Sequence, residues 1–170
     1  LGENFFYVDS LQHALEEERK AYRMAMKAGD SNLLSYVRQN LASTFEEMGE
    51  KDSCLYYARQ AYDLTAANRF SCLLTLASAY ISVDSINQAF RLLKQTTPKT
   101  AEDRYSVFYI QSQAAMKAHD FKSAKSFSDS AYHYLEDMYL IALQGKTAYY
   151  TSFLKKESER AKMQGKAEMQ

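Results

Sequence analysis

One proline and five glycines among 170 residues give the chain few of the residues from which closely spaced turns are made, which excludes a sandwich or barrel of short strands. Long helices remain. Tryptophan is absent and only two cysteines occur, too few for the disulfide framework with which small secreted domains supplement a thin core. Neither sign of charge is in excess: 21 Lys and Arg balance 21 Asp and Glu, so no net field draws the chain onto a phosphate backbone. No nucleic-acid partner is expected. No run of about 18 apolar residues is present, which predicts no membrane span. The opening residues LGENFF lack both Met and the basic-then-apolar order of a secretory signal. They predict a processed chain or a piece of a longer one, and leave cytoplasm and periplasm both open.

What the chain does contain is 46% apolar and 25% charged residues, enough to bury a core as one all-helical domain. Its organisation emerges when the sequence is slid along itself by 35 residues. Ala42 then falls on Ala77 and Ser112, Cys54 on Ala89 and Ala124, and Ala61 on Thr96 and Ala131, so small residues recur at three fixed places. Leu41 meets Leu76, Phe45 meets Tyr80, and Gly49 meets Asp84 and His119 at what reads as a turn. Asp and His are among the non-glycine residues that enter the left-handed region, so they are tolerable there. Gln111 and Ala115 break the register where Leu and an aromatic are expected. Each unit reads as two amphipathic segments of roughly 14 to 17 residues, with small residues where helices cross and aromatics filling the wedge beside them.

Leu41-Ala42-x-x-Phe45, Gly49, Cys54 and Ala61, with Leu76-Ala77-x-x-Tyr80 and His119-Asp120-Phe121 at matching places, resemble the tetratricopeptide repeat of about 34 residues. The resemblance implies an α-α superhelix, a solenoid of antiparallel helix-turn-helix hairpins. It predicts a partial first unit over 9–30, full units over 33–68, 70–103 and 105–136, and a partial fourth unit over 137–152. The segment 153–170 is then a polar capping helix or a linker helix. The Tyr-rich helices and the KKESERAK tail are similar to tetratricopeptide segments of Bacteroidetes-type bacterial regulators and sensors.

Residues with chemistry to offer are scattered. Cys54 and Cys72 fall near the starts of successive antiparallel helices, about 15 Å apart by helical rise, and so are predicted to fill the core rather than to bridge. His133 has Asp129 and Asp137 one turn to either side, but no HExxH, CxxC or second histidine joins them. No phosphate-binding glycine loop or nucleophile elbow is present. Neither catalysis nor a cofactor or metal is expected. The fourteen tyrosines fall mostly at core spacings or in pairs, Tyr56-Tyr57 and Tyr149-Tyr150, of which one member is expected to point inward.

The resemblance implies a concave face lined by the first helix of each unit, where a peptide or protein segment is held. The positions predicted to line it are Tyr36, Gln39, Ser43 and Glu47, then Leu74, Ser78 and Ile81, then Tyr109, Gln113 and Met116. Tyr, Leu, Ile and Met there suit apolar side chains, and Gln and Ser suit a ligand backbone. The Lys, Arg and Asn with which family members grip a C-terminal carboxylate are missing, Gln39, Ser43, Thr75, Ser106 and Ile110 standing in their places. Two functions remain in view: a protein-interaction module, or a ligand-sensing or spacer domain of a larger regulator. Self-association as a homodimer is compatible with either.

Overall fold

The computed structural model describes the backbone of residues 2–64 and 68–167, and side chains from residue 10 to residue 159 except 65–67 and 158. All regular structure among the described residues is helical. It comprises α1 (Gly2–Ala28), α2 (Ser31–Glu47), α3 (Lys51–Leu64), α4 (Arg69–Ser82), α5 (Ile86–Leu93), α6 (Ala101–Lys117) and α7 (Phe121–Ala167).

Three of the connections are one turn built three times. Gly49, Asp84 and His119 have φ of 75°, 60° and 58°, and each reverses the chain just beyond the end of a helix. In each case the next amide donates back to the helix: Glu50 N to Phe45 O at 2.8 Å, Ser85 N to Tyr80 O at 2.8 Å, Asp120 N to Ala115 O at 2.9 Å. The left-handed residue itself donates to the carbonyl three before it, at 3.0 to 3.1 Å. These paired bonds are a Schellman motif, which satisfies helix-end carbonyls that would otherwise be left bare. Glu50, Ser85 and Asp120 then open the following helix, accepting from the amides of Cys54, Ala89 and Ala124. A left-handed backbone is strained for a residue with a Cβ, and at Gly49 an added Cβ meets nothing within 4 Å. Gly49→Ala is therefore expected to cost about 1 kcal/mol through backbone strain alone. A urea unfolding midpoint unchanged by the substitution would count against this account.

Each helix packs on the next, and α2, α4 and α6 also touch in series. Eight of the nine small repeat residues are buried inside helices: Ala42, Cys54, Ala61, Ala77, Ala89, Ser112, Ala124 and Ala131. Around them Leu41, Leu76 and Leu93 are nearly inaccessible, and Phe45 stacks on Tyr57 with ring centroids 5.5 Å apart. Each such apolar side chain contributes about 1.5 to 3 kcal/mol on burial.

The ninth small residue, Thr96, corrects an expectation. It lies beyond α5, which has only 8 residues rather than the predicted 14 or more. Pro98 supplies no amide and biases Thr97 away from helical dihedrals, while the Thr96 hydroxyl caps the Leu93 carbonyl at 2.7 Å.

A second correction concerns the C-terminal part. The unit boundaries predicted at 136/137 and 152/153 both fall inside α7, a single helix of 47 residues. Residues 137–152 do not turn back to begin a fourth hairpin. Nothing between Ala131 and Leu154 stops a helix: no proline occurs, and Gly145 is not followed by a cap signal. The predicted inward tyrosine of the Tyr149-Tyr150 pair is also overturned, because both are more than half exposed on the part of α7 that outruns α6. Tyr57 does point inward and Tyr56 outward, since there a neighbouring helix covers one face.

Candidate functional site

The predicted interaction residues lie on α2, α4 and α6, and side-chain caps fix the starts of α2 and α6. Asp30 accepts from the amides of Asn32 and Leu33, both at 3.0 Å. Thr100 and Asp103 form a reciprocal capping box at the head of α6. Three backbone or side-chain donors around the Asp103 carboxylate hold it below its ordinary range, the Lys99 amide foremost. An ion pair of 3.3 Å between Lys117 and Asp84 ties the end of α6 to the turn after α4.

The ten predicted positions do not behave alike. Tyr36, Tyr109 and Met116 are 49%, 48% and 51% exposed, so each holds out about half of a large apolar side chain. Tyr109 is stacked on Tyr105 at 5.9 Å, which stiffens it as a contact surface. Ser43, Glu47 and Gln113 are exposed polar neighbours. Ser43 donates to the Gln39 carbonyl within its own helix at 3.3 Å. Leu74 and Ile81 are partly buried against the core, and Ser78 is also half-buried.

Gln39 was expected to meet a ligand backbone, and instead it joins α2 to α4. Its Nε2 donates to the Ser71 and Thr75 hydroxyls, the latter at 3.2 Å. Its Oε1 accepts from Asn68 Nδ2 at 3.2 Å and from the Cys72 thiol at 3.6 Å. The network continues inward: Ser35 Oγ lies 3.2 Å from Asn68 Oδ1 and 3.4 Å from Cys72 Sγ, and donates to the Ala61 carbonyl at 3.0 Å. Ser35 and Asn68 are buried, so these bonds replace water that cannot reach them.

Both cysteines are unbridged and buried. Burial pushes the Cys54 thiol up to about 12, with the Glu46 carboxylate adding to the effect, so the reactive thiolate is suppressed. His133 lies 3.8 Å from Asp137, while Asp129 is taken by Lys125 at 2.5 Å. On the α1–α2 contact, burial raises the Glu18 carboxyl above its usual range, opposed by the Thr44 hydroxyl that donates to it at 3.0 Å.

Two features went unpredicted. Arg69 stacks over the Tyr62 ring at 4.3 Å and donates to its hydroxyl at 2.9 Å, beside a depression also lined by Phe70, Gln95 and Lys99. Its only signal was an Arg shortly after a Tyr across an interhelical connection. The other is the exposed apolar part of α7, signalled by a stretch from Met138 to Leu154 with the single charge of Lys146. No helix among the described residues is long and apolar enough to cross a membrane. Comparison with protein-family models, curated proteins and solved structures finds no match to this chain, so its function must be argued from its own residues.

Proposed function

We propose that this chain is a non-catalytic interaction module of the tetratricopeptide type, in which α2, α4 and α6 form the inner row of a solenoid and hold a peptide or protein segment. The observation that carries the proposal is the serial contact of α2, α4 and α6 together with the half-exposed Tyr36, Tyr109 and Met116 along them. Large aromatic side chains make good contact surface at small entropic cost, and a flexible thioether adapts to the surface it meets. Gln39, Leu74 and Ile81 support the row from within and do not read the ligand. The contacts fall to Tyr36, Ser43, Glu47, Tyr109, Gln113 and Met116.

The test is to select binders from a displayed peptide library and to measure their affinities calorimetrically for wild type, Tyr36→Arg and Tyr109→Arg. Each substitution is expected to weaken binding at least about tenfold, or about 1.4 kcal/mol, with the melting temperature unchanged. Leu74→Arg is a poor probe, because it also disturbs the core. Peptides that bind both variants as well as wild type overturn the assignment. Failure to select any peptide favours the second reading, a spacer or sensing domain of a larger regulator, which the 47-residue α7 supports as a rigid connector.

A further inference from the structure

The helices α3 and α5 each pack on α4 while their backbones stay apart from each other, which leaves a groove with α4 as its floor. Phe70, Leu73, Leu76 and Tyr80 form that floor, the last three on the side of α4 turned away from Ser71 and Ser78. The groove comprises two depressions of about 440 and 330 Å³ that meet at Tyr62 and Gln95. From Phe70 to Tyr80 the helical rise gives it a length of about 15 Å, room for about four or five residues of extended chain. Arg69 and Lys99 line one depression, Arg59 and Arg91 the other. Among the described residues none of these four cations forms an ion pair. We propose that this groove binds a short extended peptide segment carrying acidic side chains, at a site separate from the row of α2, α4 and α6.

Charge and prior arrangement select the occupant. The Arg59 guanidinium lies over the Tyr80 ring at 5.4 Å and that of Arg69 over the Tyr62 ring at 4.3 Å, so both are held in place before a ligand arrives. A guanidinium so held loses little freedom when it takes a carboxylate through two parallel N–H bonds. The only carboxylates lining the two depressions are Asp63 and Asp103, against four cations, so the groove is locally basic in a chain of zero net charge. Asp103 is moreover engaged, accepting from the amides of Lys99 and Thr100 at 2.9 and 3.0 Å. Gln88 on α5 and Gln95 just beyond it, both exposed, offer amides to a peptide backbone. A nucleic-acid strand fits less well. It carries a charge at every residue and sets phosphates against Asp63 and Asp103, where a peptide can place uncharged side chains.

The test is fluorescence anisotropy of the full 170-residue chain with a pool of fluorescein-labelled heptapeptides that carry two glutamates at varied spacing, beside a matched glutamine pool and an oligothymidylate. The glutamate pool is expected to bind at least about tenfold tighter than the glutamine pool, and to weaken as salt is raised. Arg91→Glu, at an exposed position outside the core, should weaken that binding at least about tenfold, and Arg69→Glu by a similar factor. Asp63→Asn removes an opposing charge and should tighten it about twofold, a gain that damage to the fold does not produce. Tyr109→Arg should leave it unchanged, which separates this site from the row of α2, α4 and α6. Equal binding of the two pools, an affinity indifferent to both Arg91→Glu and Arg69→Glu, or loss of binding in Tyr109→Arg overturns the proposal. Tighter binding of the oligothymidylate than of the glutamate pool overturns it in favour of nucleic acid.

Discussion

Ala77→Leu is expected to destabilise the fold by about 1 to 3 kcal/mol, and Ala42→Leu by a similar amount. Both alanines are fully buried in the cluster to which α1 through α6 contribute, and each sits one residue after a leucine that fills the core. Three added carbons have no void to occupy. They can be accommodated only if one helix moves away from its neighbour or a side chain leaves its rotamer. Ser43→Leu is the control. It adds about the same bulk one residue beyond Ala42, yet on an exposed position, so its effect should stay within about 0.5 kcal/mol. Chemical denaturation of the three variants decides the matter. Equal effects of Ala42→Leu and Ser43→Leu would mean that α2 is rotated from the face described here.

That contrast shows which parts of the structure could be read in advance. The turns at Gly49, Asp84 and His119 were legible because a reversal of this kind leaves one residue at positive φ, and few residue types tolerate it. The small residues were legible because helix crossings limit side-chain volume. The short α5 had its signal in Pro98, but the repeat pattern, projected through Thr96, overrode it. For α7 the extrapolation failed differently. A shift of 35 residues places a helix over 137–152, and a helix is there, but continuity with the preceding helix depends on the absence of a stop signal. Within the candidate face, exposure of Tyr36 and Tyr109 followed from helical position. The use of Gln39 did not, since whether an amide faces solvent or a neighbouring helix depends on Asn68, Ser71 and Thr75, which are distant in sequence.

Gln39→Leu separates these two roles. Leucine occupies the corresponding place in the next unit, at Leu74, so the helix and the local volume tolerate it. A Gln39 that serves only a ligand could be replaced without loss of stability. In the network observed, its removal leaves Asn68 Nδ2 with no acceptor in a site that is only 8% exposed. The expected cost is about 1 to 3 kcal/mol, the penalty of a buried donor left without a partner. Asn68→Leu removes the other half of the pair, while Ser35 keeps its bond to the Ala61 carbonyl. The double variant should therefore cost less than the sum of the singles, by a coupling of at least about 0.5 kcal/mol. Denaturation midpoints for the four proteins close the cycle, and strict additivity would dissolve the network as an energetic unit. A coupling of the expected size would instead make Gln39 the fastener between α2 and α4, so that the spacing of Tyr36 from the residues of α6 is set by the α2–α4 contact before any partner arrives.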